Sequence, residues 1–543
     1  MLQASDPMSV QPTETRSGVS HISLLFGTLM IVMFMASLSQ MVFSTALPTI
    51  VGELHGVDQM MWVITGYMLA STVMMPIYGR AGDLYGRKSM LLVAIALFTA
   101  GSIVGGLAPT MTWLIAARVL QGLGGGGLMI LSQASVADFV PARERGRYMG
   151  VMGAVFAVSS VAGPLLGGWL TEGPGWRWVF WLNLPLAVLA VVAILTLMPT
   201  PHRTTQEGAR IDVAGIVLMT LGTTAMVLIA TWGGHTYDWA SRQIVGLAIA
   251  AAVITGLFVL VEKRAQHPVI PMDLFAKPNF VLVTIVGLLI GVAMFGTMAY
   301  LPTYFQMAEG VSATEAGLLM TPLMGSLLLA SILVGRRVTR TGRYRLPPIV
   351  GSVVLAVGLW LLSTVDLETP LPLICAYLAV MGIGLGSAMQ ILTLVVQNEF
   401  PHRIVGTATA ANSYFRQVGS SLGTAVVGSM FVARLTTLLA ERLPEAATAT
   451  GGGSNSLTPE LIHSLPDQVE AIILGSYNEA LVPIFRYLVP LALLSALLLL
   501  FVKETPLATE IVHEVPAESL AEGQVLITEF DEDDEEVAAP ARN

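Results

Sequence analysis

Long apolar runs alternate with short polar segments along most of this chain. We count fourteen runs of the length that crosses a bilayer, since about 20 consecutive apolar residues match its hydrocarbon thickness. Their approximate limits are 22–46, 60–79, 89–108, 112–136, 147–170, 177–198, 213–232, 243–262, 280–304, 314–335, 347–365, 371–396, 405–433 and 480–502. The first run lacks a small-residue cleavage site, so we interpret it as a membrane span and not as a signal peptide. The pattern predicts an all-α membrane protein.

Composition supports this class and excludes others. Of the 543 residues, 54% are hydrophobic and only 12% are charged, about half the charged share of a soluble domain. The net charge of −9, much of it in the acidic run 529–536, argues against a nucleic-acid partner. The single cysteine, Cys375, excludes an intrachain disulfide. Motifs of metalloproteases, serine hydrolases and P-loop pumps are missing from the sequence, so we expect no enzyme, no cofactor and no metal site.

The distribution of Lys and Arg predicts the orientation. An even number of spans places both termini on one side of the membrane. With that side cytoplasmic, 20 of the 27 Lys and Arg residues fall in cytoplasmic segments and four fall outside. The positive-inside rule therefore predicts that both termini are cytoplasmic.

A loop repeats along the chain. Residues 79–88 read GRAGDLYGRK, and residues 335–343 read GRRVTRTGR, so that two glycines and two arginines align. Each loop follows the second span of a six-span set, which predicts two six-helix bundles with two helices inserted between them. The predicted parts are a cytoplasmic segment 1–21, a first bundle 22–200, an insertion 201–279, a second bundle 280–502 with an external loop 434–479, and an acidic cytoplasmic tail 503–543.

These features resemble the major facilitator superfamily, whose signature loop has the pattern of residues 79–88. Within it, the chain is similar to the fourteen-span drug–proton antiporters through WRWVFWLNLP at 176–185 and RQVG at 416–419. The resemblance covers roughly residues 22–435. It implies a secondary transporter that works by alternating access, with multidrug efflux as its activity and the plasma membrane as its location.

Arg118 and Gln121 stand three residues apart in span 4, so they share a helix face. An arginine within a span is costly and usually faces a cavity or a partner. The sequence RVLQG matches the span-4 motif of the family, and the resemblance implies a role in proton coupling.

Span 5 carries the sequence GPLLGG. Pro164 removes a helix hydrogen bond, and Gly163, Gly167 and Gly168 allow close helix packing. The sequence resembles the antiporter motif of proton-driven exporters. An ordinary packing face explains the glycines but not the whole pattern.

Charged residues next to the signature loop predict a cytoplasmic charge latch. Asp83 and Arg87 lie in the loop, and Asp138 and Arg147 flank the connection between spans 4 and 5. Topology alone explains the arginines but not Asp83. We predict that these four side chains tie the two halves together in one state of the transport cycle.

The sequence departs from its family in span 1, where Ser39 stands in place of the usual aspartate. We find no acidic residue in the middle of a predicted span, so the titrating group is unidentified. Arginines without acids favour neutral, anionic or lipid-like substrates over cations. The polar residues assigned to the substrate cavity are Gln40, Asn183, Gln306, Asn412 and Arg416.

Three functional hypotheses follow. The first is a proton-driven exporter of apolar or amphipathic small molecules, and the second is an exporter of a native lipid or glycolipid. The third, a non-transporting membrane scaffold, does not explain the internal repeat. The expected partners are small amphipathic substrates, protons and membrane lipids, and the chain is expected to act as a monomer.

Overall fold

The computed structural model describes residues 15–55, 59–198, 212–234, 236–442 and 466–507. Almost all of these residues lie in helices. The α-helices are α1 (Thr15–Leu54), α2 (Met60–Tyr85), α3 (Arg87–Gly106), α4 (Met111–Phe139), α5 (Ala142–Glu172), α6 (Trp178–Trp181), α7 (Asn183–Leu197), α8 (Val213–Trp232), α9 (Arg242–Glu262), α10 (Pro278–Met298), α11 (Leu301–Ala308), α12 (Ala313–Leu319), α13 (Thr321–Thr341), α14 (Leu346–Leu362), α15 (Leu371–Glu399), α16 (Val405–Arg442), α17 (Asp467–Leu481) and α18 (Ile484–Leu499).

Each predicted apolar run lies on one or two of these helices. Twelve helical segments in the described part of the chain are long and apolar enough to cross a membrane, and α14 is a shorter apolar helix. The second predicted run lies on α2. The all-α membrane fold is therefore confirmed, while the count of fourteen spans and the side of the termini stay predictions.

Several helices break where the sequence predicts continuity. The sixth run is divided between α6 and α7, and the ninth between α10 and α11, where Pro302 stands in the first turn of α11. The segment 434–479, predicted as an external loop, is helical at both ends, since α16 continues to Arg442 and α17 begins at Asp467. Its middle, like most of the predicted terminal segments, lies outside the described residues.

The two repeated loops share an unusual backbone conformation. Gly86 separates α2 from α3 with φ of 88°, and Gly342 ends α13 with φ of 70°. Positive φ is strained for residues that carry a Cβ, so both positions favour glycine. The aligned glycines thus serve the same purpose in the two halves, namely a tight turn after the second span of each set.

The buried apolar residues form separate groups along the chain. Two groups consist only of residues from α1–α7 and the short segments beside them. The largest group consists mainly of residues from α8 onwards, with Val73, Ala142 and Ala157 as its members from the first half. This division is the one expected of two helical bundles that pack against each other.

The bundles meet along α2 and α16 and along α5 and α13, and α8 of the insertion packs against both α2 and α16. The α5–α13 crossing is close because it lacks side chains at its centre. A Cβ added at Gly146 would lie 3.0 Å from the Gly335 carbonyl oxygen, and one at Gly150 would lie 2.6 Å from that of Ser331. Backbones therefore touch across the boundary between the halves.

Candidate functional site

Asp83 joins the two bundles at the end of α2. Its side chain is 1% exposed. It accepts hydrogen bonds from the backbone nitrogen of Gly406 at 3.2 Å, and from the backbone nitrogen and Oγ1 of Thr407 at 2.6 and 2.7 Å. These nitrogens lie in the first turn of α16, where unpaired N–H groups and the helix dipole attract a negative charge. A carboxylate of the first half therefore caps a helix of the second.

Arg87 holds this carboxylate in place from the start of α3. Its guanidinium donates to Asp83 at 3.3 Å, to Asp138 at 2.5 Å, and to the carbonyl oxygen of Ala134. Because both carboxylates share one guanidinium, the three charges form a single network. We call Asp83, Arg87 and Asp138, together with the α16 N–H groups they reach, the interhalf latch.

A residue missed by the sequence also reaches the interhalf latch. The Nε2 atom of His402 lies 2.8 Å from Oδ1 of Asp138, and His402 belongs to the turn before α16. Asp138 therefore contacts the second half as well. Short-range motifs give no signal for this pair, since its members are more than 250 positions apart in the chain.

Arg147 lies apart from the interhalf latch. Its guanidinium is exposed, 3.9 Å from Glu144, and contacts Tyr148. Arg145 is buried instead and donates to the carbonyl oxygens of Val140, Ala137 and Gln397, the last of them across the boundary between the halves. Residues two apart on a helix face different directions, so only one of these arginines points inward.

Arg118 lies in a closed polar cluster inside the first bundle. It is 1% exposed and donates to Gln121 Oε1 at 2.9 Å, to the Val63 carbonyl oxygen at 3.3 Å and to Ser39 Oγ at 3.4 Å. The predicted pairing of Arg118 with Gln121 on one helix face is therefore present. Gln121 in turn donates to Ser102 Oγ at 2.8 Å.

Aromatic rings complete the surroundings of Arg118. The guanidinium carbon lies 4.0 Å from the ring centre of Phe43 and 4.3 Å from that of Tyr67. Such stacking stabilises a buried cation without a counter-ion. Ser39, at the position where an aspartate was expected, supplies a neutral acceptor. The cluster thus contains a permanent positive charge and no carboxylate.

The helix with the predicted antiporter motif packs against α1. A Cβ added at Gly163 would lie 3.0 Å from the Met41 carbonyl carbon, so glycine allows the close approach there. Pro164 stands inside α5 and faces Gly317 of α12, in the second half. Gly167 is buried, while a Cβ at Gly168 would meet open space. The motif thus borders both α1 and the second half.

The residues assigned to the substrate cavity do not converge on one pocket. Asn183, the first residue of α7, is buried and donates to the carbonyl oxygen of Val179 on α6, and Gln306 donates to the carbonyl oxygen of Pro302 one turn earlier. Gln40 is half-buried on α1. Asn412 is buried and donates to Thr284 Oγ1 at 3.3 Å, which joins α16 to α10.

Arg416 differs from the other assigned cavity residues. It is half-buried, one turn beyond Asn412 on α16, and its guanidinium makes no hydrogen bond or ion pair with the part of the chain that the structure describes. A small pocket nearby lies between α2, α8 and α16, and its lining residues are Thr72, Thr223, Met226, Val227, Val418, Ser421 and Leu422. Arg416 does not line this pocket, and its guanidinium is less enclosed by described polar groups than that of Arg118.

Two residues of the tryptophan-rich sequence at 176–185 bind the C-terminal end of α1. Trp176 is 2% exposed and donates through Nε1 to Glu53 at 2.7 Å, and Arg177 donates to the same carboxylate at 2.6 Å. Glu53 lies in the last turn of α1. The structure thus shows a polar contact between the end of α1 and the segment that joins α5 to α6.

The donor set does not fit a metal. Across the ranges with described coordinates, His, Cys, Asp and Glu side chains do not gather in groups of three or more that would hold an ion.

Comparisons with known proteins agree with this geometry. Residues 29–424 match the model of the Major Facilitator Superfamily. The chain is 39% identical to an uncharacterized MFS-type transporter of Mycobacterium tuberculosis (strain ATCC 25618 / H37Rv), over 94% of this chain and 74% of the relative. It is 35% identical to the multidrug transporter protein MdtP of Bacillus subtilis (strain 168), over 86% of this chain and 88% of that protein.

A solved structure shows the same fold. The proton:xylose symporter XylE, bound to 6-bromo-6-deoxy-D-glucose, superimposes with a TM-score of 0.58 at 16% identity. The match covers 90% of this chain and 97% of XylE. At this sequence identity, the structural similarity supports the fold but not a substrate or a mechanism.

Proposed function

Because the chain belongs to the Major Facilitator Superfamily and is a multi-pass membrane transporter rather than an enzyme, we propose that it exports apolar or amphipathic small molecules by proton antiport. The names of relatives support efflux. Besides MdtP, an efflux pump of Gibberella fujikuroi (strain CBS 195.34 / IMI 58289 / NRRL A-6831), FUS6, is 30% identical over 94% of this chain. The proposed location is the plasma membrane, with the chain acting as a monomer in contact with lipid.

The observation that carries this proposal is the capping of α16 by Asp83. A transporter that alternates between two conformations needs contacts that exist in one conformation only. The interhalf latch is such a contact, because its carboxylate and its N–H donors belong to different bundles. Charge-assisted hydrogen bonds to a buried carboxylate are each worth about 1.5–3 kcal/mol, so the latch biases the equilibrium between the states strongly.

The surroundings of Arg118 and Arg416 support a preference among substrates. Neither arginine has a carboxylate partner in the described residues. A cavity that contains an unpaired guanidinium repels cations and attracts neutral or anionic amphiphiles. We therefore assign neutral and anionic amphipathic compounds as substrates, with Arg118 and Gln121 positioning α4 during the cycle.

The test is accumulation of a neutral amphipathic dye, Nile red, in pump-deficient bacteria that express the protein. We expect low accumulation that rises when a protonophore collapses the gradient. Replacement of Asp83 by Asn removes the charge at nearly constant size, and we expect about tenfold slower export because the latch loses at least one strong hydrogen bond.

Glu144→Gln is the matched control, since Glu144 is an exposed carboxylate in the first turn of α5 and its replacement should leave export unchanged. Accumulation equal to that of empty cells, with membrane expression confirmed, would contradict export of such compounds and favour a native lipid as substrate. Dye export that continues at the same rate after a protonophore is added would contradict proton coupling.

A further inference from the structure

We infer that Asp212 and Glu262, at the ends of the two inserted helices, form a carboxyl pair that binds the exchanged proton and is coupled to the interhalf latch through the packing of α8 against α2 and α16. The inference rests on the proposed antiport. It supplies the titrating group that the middles of the predicted spans lack.

The two carboxyl groups face each other across Gly215. Asp212 precedes α8, and Glu262 is the last residue of α9. A Cβ added at Gly215 would lie 2.5 Å from Oε1 of Glu262 and 2.6 Å from Oδ2 of Asp212. Both oxygens thus approach the same point, and glycine keeps that point open.

The carboxyl pair is largely withdrawn from water. Glu262 is 2% exposed and accepts backbone hydrogen bonds from Val269 and Ile270, each at 3.2 Å. The Oδ2 atom of Asp212 is buried and has no hydrogen-bond partner among the described residues. Two adjacent carboxylates repel each other, and one proton shared by the pair removes the repulsion and lets one oxygen donate to the other.

Arg80 is a half-buried cation next to the interhalf latch. It stands on α2, three residues before Asp83. Its Nε atom is buried without a hydrogen-bond partner in the described structure. Among the described residues, Asp212 and Arg80 are the charged groups near Glu262, and the segment after α9 contributes the backbone N–H groups of Val269 and Ile270.

The inserted helices link the carboxyl pair to the boundary between the halves. Asp212 precedes α8, and α8 lies beside the helix that carries Asp83 and the helix that Asp83 caps. Because α8 packs against both α2 and α16, a movement of these helices also changes the burial of the pair.

The first test is a pH titration of the purified full-length protein followed by infrared spectroscopy. A protonated carboxyl group absorbs separately from a carboxylate. We expect a protonated-carboxyl band that persists well above the ordinary glutamate pKa of about 4.3. The band should disappear in Glu262→Gln and in Asp212→Asn, and remain in Glu144→Gln. A wild-type band unaltered in both variants, or no such band at all, would overturn the inference.

The second test separates this inference from the proposed function. In everted vesicles, addition of substrate to the wild type should release protons, as reported by a pH-sensitive acridine dye. Asp212→Asn should still bind substrate but lose at least about tenfold of this release. Wild-type vesicles without substrate-driven proton movement would refute antiport, while the infrared band would still decide whether the pair holds a proton. A variant that only lowers the melting temperature, with normal proton release, would reduce the pair to a structural cap.

Discussion

Two of the three arginines within predicted spans of this transporter, Arg118 and Arg416, have opposite surroundings. Arg118 of α4 is enclosed by acceptors and aromatic rings. Arg416 of α16 is half-buried and has no side-chain partner in the described residues. A charge within the bilayer is costly unless something pairs with it. The difference teaches that Arg118 belongs to the architecture of the first bundle, whereas the guanidinium of Arg416 is not held by any of the described residues.

The sharpest way to break this comparison is to remove Arg118. Arg118→Ala leaves the Val63 carbonyl oxygen and Gln121 without a donor in a buried site. We expect a destabilisation of about 3–5 kcal/mol and loss of export, because removing one member of a buried polar network leaves the others unsatisfied. Thermal unfolding in detergent and Nile red export measure the two effects. Export at the wild-type rate would show that the cluster around Arg118 has no part in transport.

Replacing Arg416 tests whether the half-buried arginine contributes to substrate binding and not to stability. Arg416→Gln should leave the unfolding temperature nearly unchanged, because no internal hydrogen bond is lost. It should raise the KM for an anionic amphiphile about tenfold, since a charge-assisted contact is worth about 1.5–3 kcal/mol. The KM for a neutral dye should stay the same. Arg486→Gln is the matched control, because Arg486 is an exposed arginine on α18. Equal effects on both substrates would remove Arg416 from substrate recognition.

The sequence predicted most of the elements and the members of the local motifs. The signature loop and the end of span 4 predicted a cluster of Asp83, Arg87 and Asp138. In the structure, Arg87 forms ion pairs with both aspartates. This worked because loop spacing and helix ends are local properties. The α10–α11 break near Pro302 was missed because the apolar run continues through it.

Long-range partners were not predictable from one sequence. The N–H groups of Thr407 and the ring of His402 lie in a different bundle from the residues they reach. The choice between Arg145 and Arg147 depended on the rotation of α5 about its axis, because residues two apart on a helix point about 200° away from each other. The pairing of Asp212 with Glu262 likewise depends on how α8 and α9 lie against each other.

The smallest expected effect concerns a third arginine, Arg177, which has a partner but is exposed. Its hydrogen bond, and then that of Trp176, hold the pKa of Glu53 below the ordinary value of 4.5. A lowered folded-state pKa stabilises the fold above the unfolded-state pKa, and the gain is lost as the pH falls through the folded-state pKa. We expect Glu53→Gln to cost less than about 1 kcal/mol at neutral pH, because the pair is partly solvated.

Unfolding temperatures of wild type and Glu53→Gln should therefore differ by a few degrees or less at pH about 7 and converge in acid, below the lowered pKa. Glu172 is a nearby exposed carboxylate and serves as the control. The unfolding temperature of Glu172→Gln should equal that of the wild type at every pH. A constant difference at every pH would mean that Glu53 acts as a neutral acceptor for Trp176, and that Arg177 contributes nothing. If instead the curves converge in acid, the contributions of Arg118, Arg416 and Arg177 to stability are ranked by burial and by hydrogen-bond partners, and not by charge alone.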